Sequence, residues 1–166
     1  MKTYKIAVFG CGFVGGTVAD FLEQGGVEVI RVDPKLYPEN DPMDAIVKAD
    51  GIIICVPTPS KEDGSCDDKH IREVLNLCSH RERILLKSTV TPDLLSSYTP
   101  NVVYNPEFLR EASAKEDFEN QNIQIFACTL STPNGAFHPL LLGQNAPLQT
   151  DVRRLVYPGY FSWWDR

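Results

Sequence analysis

Tyr4-Lys5-Ile6-Ala7-Val8-Phe9-Gly10-Cys11-Gly12-Phe13-Val14-Gly15 decides how this chain folds. The first six residues are β-like, and Val14 to Gln24 carries a helical pattern that stops at Gly25-Gly26. Between them, Gly10 to Gly15 form a GxGxxG in a strand-turn-helix setting. Gly10 permits a tight turn, Gly12 leaves room for a pyrophosphate, and Gly15 lets the helix pack closely on the strand. The helix N-terminus then faces the phosphate charge, with Cys11, Phe13 and Val14 beside it. Val27 to Val32 is a second strand, and Asp33 ends it 18 residues after Gly15. An acid there accepts hydrogen bonds from the adenosine ribose and repels a 2′-phosphate, so NAD is favoured over NADP. A glycine-rich turn in a fold that binds nothing is the competing reading.

Outward from this unit, strands and helices keep alternating. A short helix fits Met43 to Lys48, and Gly51 to Val56 is almost wholly apolar, as a strand buried on both faces should be. Asp67 to Ser79 reads as an amphipathic helix, Arg83 to Ser88 as a strand, and a short helix starts near Pro92. Asn101 to Tyr104 is a strand, Glu107 to Phe118 a helix and Ile123 to Thr129 a final strand. The pattern predicts an α/β, doubly wound, mostly parallel sheet of Rossmann type with about six strands and helices on both faces. Only a short link separates Asp33 from Gly51, so the chain should cross directly to the other side of the first strand. The expected order is near 2-1-3-4-5-6. Residues 1–130 form the expected domain. Residues 131–166 break the pattern and end in an aromatic-rich, irregular tail that covers its own core or meets a partner.

Composition narrows the function classes. The chain has 166 residues, 43% of them hydrophobic and 23% charged, enough for one cored domain. A net charge of −6 argues against nucleic acid or an anionic membrane as partner. No apolar run approaches the ~20 residues needed to span a bilayer, and the N-terminus shows no cleavage-site pattern, so a cytoplasmic protein is expected. Five cysteines at irregular spacing, without a CxxC pair, fit reduced thiols. Cys66, His70, Cys78 and His80 match no standard zinc spacing, and no metal is expected.

Three further segments carry chemistry. Cys55-Val56-Pro57-Thr58-Pro59 follows the third strand as a stiff loop, either a wall beside the nicotinamide ribose or a structural turn. Lys87-Ser88-Thr89-Val90-Thr91-Pro92 ends the fourth strand. Thr89 or Thr91 caps the next helix, or Thr89 holds a water or a substrate hydroxyl. Asn105-Pro106-Glu107-Phe108-Leu109-Arg110-Glu111 follows the fifth strand, and Pro106 suits the start of a helix. On that helix Glu107 and Glu111 would lie one turn apart on one face, where like charges repel unless they have work to do.

Taken in order, Gly10 to Gly15, Val32-Asp33, Cys55 to Pro59, Lys87 to Val90 and Asn105 to Glu111 resemble the NAD-binding half of the UDP-glucose/GDP-mannose 6-dehydrogenases, the UDP-glucose type nearest. Ala112-Ser113-Ala114 and Asp117-Phe118 continue the match, which covers roughly residues 4 to 126. The resemblance implies oxidation of a sugar-nucleotide C6 alcohol to a carboxylate with two NAD, through an aldehyde and a cysteine thioester. It implies Glu107 as the acid/base residue and Thr89 as the group that positions water or substrate. Ser88, Thr89 and Glu111 would lie against the cofactor, and Phe108, Leu109 and Arg110 would line the substrate entrance. The family's nucleophilic cysteine sits in a GFGGxCxPKD-type motif of a second domain, which none of the five cysteines here rebuilds. The family's usual third β-α unit is also expected to be missing between Asp33 and Asp50. Three readings follow: a sugar-nucleotide dehydrogenase working as a homo-oligomer or with a partner chain, a non-catalytic NAD-binding module, or a truncated remnant.

Overall fold

The computed structural model describes residues 4–81, 83–98, 101–120 and 127–128. Short apolar strands set the frame. β1 (Lys5–Phe9) pairs in parallel with β2 (Glu28–Val32) on one side and β3 (Gly51–Ile54) on the other. β4 (Ile84–Leu86) and β5 (Val102–Tyr104) extend the parallel sheet from β3. β6 (Ala127–Cys128) adds antiparallel to β5, completing the order 2-1-3-4-5-6. The register brings Val32, Phe9, Ile54, Leu86 and Tyr104 level with one another, so the carboxyl ends of all five parallel strands share one edge.

Alternation along these strands divides the core in two. Val8, Ile53, Leu85 and Val103 face α1 (Phe13–Gln24) and α5 (Ala114–Glu119), meeting Val18, Ala19, Leu22 and Phe118. Ala7, Phe9, Ile52, Ile54, Ile84 and Leu86 face α2 (Pro42–Lys48) and α3 (Lys69–Leu77), with α4 (Pro92–Ser97) at the margin of the same cluster. Burying each such Leu or Ile stabilises the fold by about 1.5–3 kcal/mol. The doubly wound arrangement is therefore a consequence of strands that are apolar on both sides.

Local signals account for the boundaries. α1 stops at Gly25 and Gly26; Gly26 takes φ +79°, where an L side chain is disfavoured. Asp41 caps α2 by accepting the Asp44 N–H at 2.8 Å, and Pro42 occupies its first turn. Between Asp33 and Gly51 the chain makes a turn closed by an Asp33–Tyr37 bridge, then α2, with no strand. β2 consequently stays at the sheet edge and β3 crosses to the far side of β1.

One expected element is different. No helix begins at Glu107. Residues 105–110 are irregular, a 3-10 turn spans Glu111–Ser113, and α5 starts only at Ala114. Side chains hold this segment open. Glu107 Oε2 accepts the Leu109 N–H at 2.6 Å, and Asp117 Oδ2 accepts the Arg110 N–H at 3.0 Å. The start of a helix would send these backbone donors elsewhere, so local bonding wins over the helix signal of Pro106. Glu107 and Glu111 therefore do not share a helix face. The expected strand from Ile123 is described only at Ala127–Cys128, and residues 131–166 lie outside the described residues.

Candidate functional site

The shared carboxyl edge gathers the loops that the sequence singled out. Gly10 takes φ +79°, and a Cβ there would sit 2.7 Å from the Cys55 carbonyl oxygen. A Cβ on Gly15 would lie 1.8 Å from the Gly10 carbonyl oxygen, so α1 presses directly on the turn. At Gly12, by contrast, a Cβ meets nothing within 4 Å. Gly12 is the N-cap of α1 and offers no side chain to its first N–H groups, which leaves space and donors together at the same point. Phe13 stands exposed there, and Val14 packs on the core beneath.

Asp33 ties this turn to β2. Its Oδ2 accepts the Cys11 N–H at 2.9 Å, and its Oδ1 accepts the N–H groups of Lys35 at 2.9 Å and Leu36 at 3.1 Å. Partial burial pushes the Asp33 carboxyl up, but the three backbone donors outweigh it and hold it below the usual carboxylate value. The group is thus a fixed anion at the tip of β2. Arg31, the nearest cation on that strand, is committed to Asp20 at 2.6 Å and Glu23 at 2.8 Å on α1. An anion at the tip, with Arg31 engaged on α1 and Lys35 beside it, suits two ribose hydroxyls.

The loops after β3 and β4 are bonded to each other. Ser88 Oγ donates to the Val56 carbonyl oxygen at 2.7 Å, and Thr58 Oγ1 donates to the Thr89 carbonyl oxygen at 2.8 Å. Pro57 is exposed between them, and the Thr89 side chain is exposed at the rim. Thr91, not Thr89, is the N-cap residue of α4, so Thr89 is not spent on capping.

Around β5 the rim turns polar. Lys87 and Asn105 are buried, with Lys87 Nζ donating to Asn105 Oδ1 at 2.8 Å. Glu107 is half-buried two residues on, and Phe108 is 64% exposed, unusual for a phenylalanine that only packs. Leu109 reaches the core that α1 and α5 cover. Arg110 is held by Asp117 through Nε at 3.0 Å and a terminal nitrogen at 2.7 Å. Its guanidinium bond drives the Asp117 carboxyl well below the usual range. The Glu111 backbone opens the 3-10 turn, and its side chain lies outside what is described.

Lys87 and Asn105 stand in two of the quoted segments, but motif reading gave neither of them a role. The available signal was a lysine ending an otherwise apolar run, Ile84-Leu85-Leu86-Lys87, where a strand buried on both faces tolerates no free charge. Burial pushes the thiol of Cys11 up to about 11, that of Cys55 to about 12 and that of Cys78 to about 11. These three stay protonated near neutral pH, the opposite of an activated nucleophile. Among the described residues no group of three or more His, Cys, Asp or Glu could hold a metal ion, and no helix is long and apolar enough to cross a membrane.

A parallel sheet with a glycine-rich turn, an uncapped helix N-terminus and an acid at the tip of the second strand defines a dinucleotide-binding domain. The chain belongs to the UDP-glucose/GDP-mannose dehydrogenase family, as its NAD binding domain, which matches residues 34–127. A UDP-glucose 6-dehydrogenase from Rickettsia felis is 42% identical over 83 residues, covering 42% of this chain and 18% of that protein. A GDP-mannose 6-dehydrogenase from Pseudomonas putida is 25% identical over 197 residues, covering 87% of this chain and 45% of its own. Among solved structures, a ternary complex of GDP-mannose dehydrogenase from Pseudomonas aeruginosa superposes with a TM-score of 0.66 at 24% identity, over 74% of this chain and 40% of that one. A UDP-glucose dehydrogenase from Pyrobaculum islandicum gives 0.65 at 22% identity, over 76% and 41%. The two solved structures share the fold, and the chain spans less than half the length of each of these four proteins.

Proposed function

We propose that this chain is the cofactor-binding part of a nucleotide-sugar 6-dehydrogenase, oxidising the C6 alcohol of a sugar nucleotide such as UDP-glucose with NAD. The observation that carries this reading is the shared carboxyl edge, on which the Gly10–Gly15 turn, Asp33, Thr89 and Glu107 all lie at strand ends of one sheet. Gly12 and the first N–H groups of α1 would hold the pyrophosphate, and Asp33 the adenosine ribose, with Cys11, Phe13 and Val14 at the turn. Val56, Pro57, Thr58, Ser88 and Glu111 would flank the nicotinamide half. NAD supplies the hydride acceptor. Glu107 takes the alcohol proton as the hydride leaves carbon, Thr89 orients the hydroxyl, and Phe108, Leu109 and Arg110 border the sugar entrance.

Calorimetric NAD binding, together with NADH formation on a panel of sugar nucleotides, tests the proposal. Glu107→Gln should abolish turnover while NAD affinity stays within about twofold; loss of NAD binding in that variant would make Glu107 structural. A second reading is an NAD-binding module that does not turn over by itself; burial holds the thiols of Cys11, Cys55 and Cys78 above their usual value, which argues against a thioester step at any of these three. NAD binding without reduction by any sugar nucleotide, alone or with a partner segment bearing a reactive cysteine, selects it. Unpaired Cys11, Cys55, Cys66 and Cys78 support a reducing, cytoplasmic setting.

A further inference from the structure

Lys87 is a charge in an apolar place. It follows the last residue of β4, is 4% exposed, and makes no ion pair among the described residues. Its Nζ donates to Asn105 Oδ1 at 2.8 Å and to the Asn105 carbonyl oxygen at 3.3 Å, and lies 5.9 Å from the centre of the Phe118 ring. Taking an ammonium out of water costs several kcal/mol, and a methionine would fill similar volume without that penalty. Both hydrogen bonds of this amine go to one residue, Asn105.

What it holds is the hinge of the β5 loop. Asn105 is 2% exposed and immediately precedes Pro106. The Asn105 carbonyl oxygen belongs to the Asn105-Pro106 peptide plane, and Pro106 fixes its own φ near −65°. With that plane gripped, the direction in which the chain enters Glu107 has little freedom left. Glu107 in turn is half-buried, its carboxylate bound by the Leu109 N–H at 2.6 Å. Burial pulls the Lys87 ammonium below its usual value, while the Glu107 carboxylate nearby pulls the other way.

We propose that Lys87 is a positioning residue: by binding both oxygens of Asn105 it sets the Asn105-Pro106 plane and thereby the place of the Glu107 carboxylate on the rim. Its meaning for turnover rests on the reading of Glu107 as the proton-transfer group, whereas the positioning itself shows in the folded chain. The Leu109 amide reports it, because a short bond to a carboxylate shifts that proton downfield. In amide NMR spectra of the full chain, Glu107→Gln gives the position of this amide without the carboxylate. Lys87→Met and Asn105→Ala should each move the Leu109 signal through more than half of that displacement. Lys87→Arg should keep it near the wild-type position, and the amides of β1 and β2 should stay in place in all variants. A folded Lys87→Met protein with an unmoved Leu109 amide would reduce Lys87 to a space-filler. Should Lys87→Met fail to fold, Lys87→Gln, shorter and uncharged, decides by the same criterion. If Leu109 moves as expected while Glu107→Gln retains turnover, the positioning stands and the proton-transfer role of Glu107 is what fails.

Discussion

Gly12→Ala should separate cofactor binding from folding. The added methyl meets no atom within 4 Å, and Gly12 has φ −68°, so the folded domain accommodates it without a clash or a left-handed backbone. Alanine is the poorer N-cap by about 1 kcal/mol, and its stiffer unfolded chain returns about 0.4–1 kcal/mol. Net stability should therefore change by less than about 1 kcal/mol. A pyrophosphate crossing the first turn of α1 would occupy the same space as the methyl. Overpacking of that kind typically costs about 1–3 kcal/mol, or about 5- to 150-fold in Kd at 1.4 kcal/mol per factor of ten. Calorimetric titration with NAD gives the affinity, and a denaturant melt of the same sample gives the stability. Unchanged affinity in a folded Gly12→Ala protein would show that the pyrophosphate does not pass over Gly12.

Gly15→Ala should do the reverse, because its Cβ would stand 1.8 Å from the Gly10 carbonyl oxygen; we expect a loss of about 3 kcal/mol or more in a denaturant melt. Asp33→Ala should lower stability at pH 7. Since the folded Asp33 carboxyl lies below its unfolded value of about 3.9, its contribution is present above that pH and vanishes as pH falls through the folded value. Wild-type and variant melts should draw together as pH falls below about 3.9, and a gap that stays constant under acidification would contradict the assignment. Thiol labelling of the native protein at pH 8 should modify Cys66 at least tenfold faster than Cys11, Cys55 and Cys78, whose burial keeps them protonated. Mass spectrometry of the labelled peptides checks this, and equal rates would mean the core opens readily.

Much of the fold was legible because it rests on short-range rules. A run as short and isoleucine-rich as Gly51 to Ile54 reads as a strand buried on both faces, and Gly25-Gly26 can end a helix but hardly continue one. The order of strands followed from the shortness of the segment between Asp33 and Gly51. The β5 loop was misread because its conformation depends on Asp117, seven residues beyond Arg110, and on a carboxylate folding back to Leu109. Neither bond has a spacing rule that outranks a proline before an apparent helix. The Gly10–Gly15 turn could be placed from glycine stereochemistry alone. The partnership of Lys87 with Asn105, which joins two separate strands, could not.

The rim is laced across the sheet: Asp33 binds the β1 turn, Ser88 and Thr58 join the loops after β3 and β4, and Lys87 joins β4 to β5. Loops joined in this way are expected to change together rather than singly. A graft of the Val56–Pro59 loop from a relative would meet a foreign Ser88-Thr89 turn, and a new β5 loop would have to suit Lys87. Epistasis between neighbouring loops should thus be strongest around the sheet's carboxyl edge, while the outer faces of α2 and α3 drift freely.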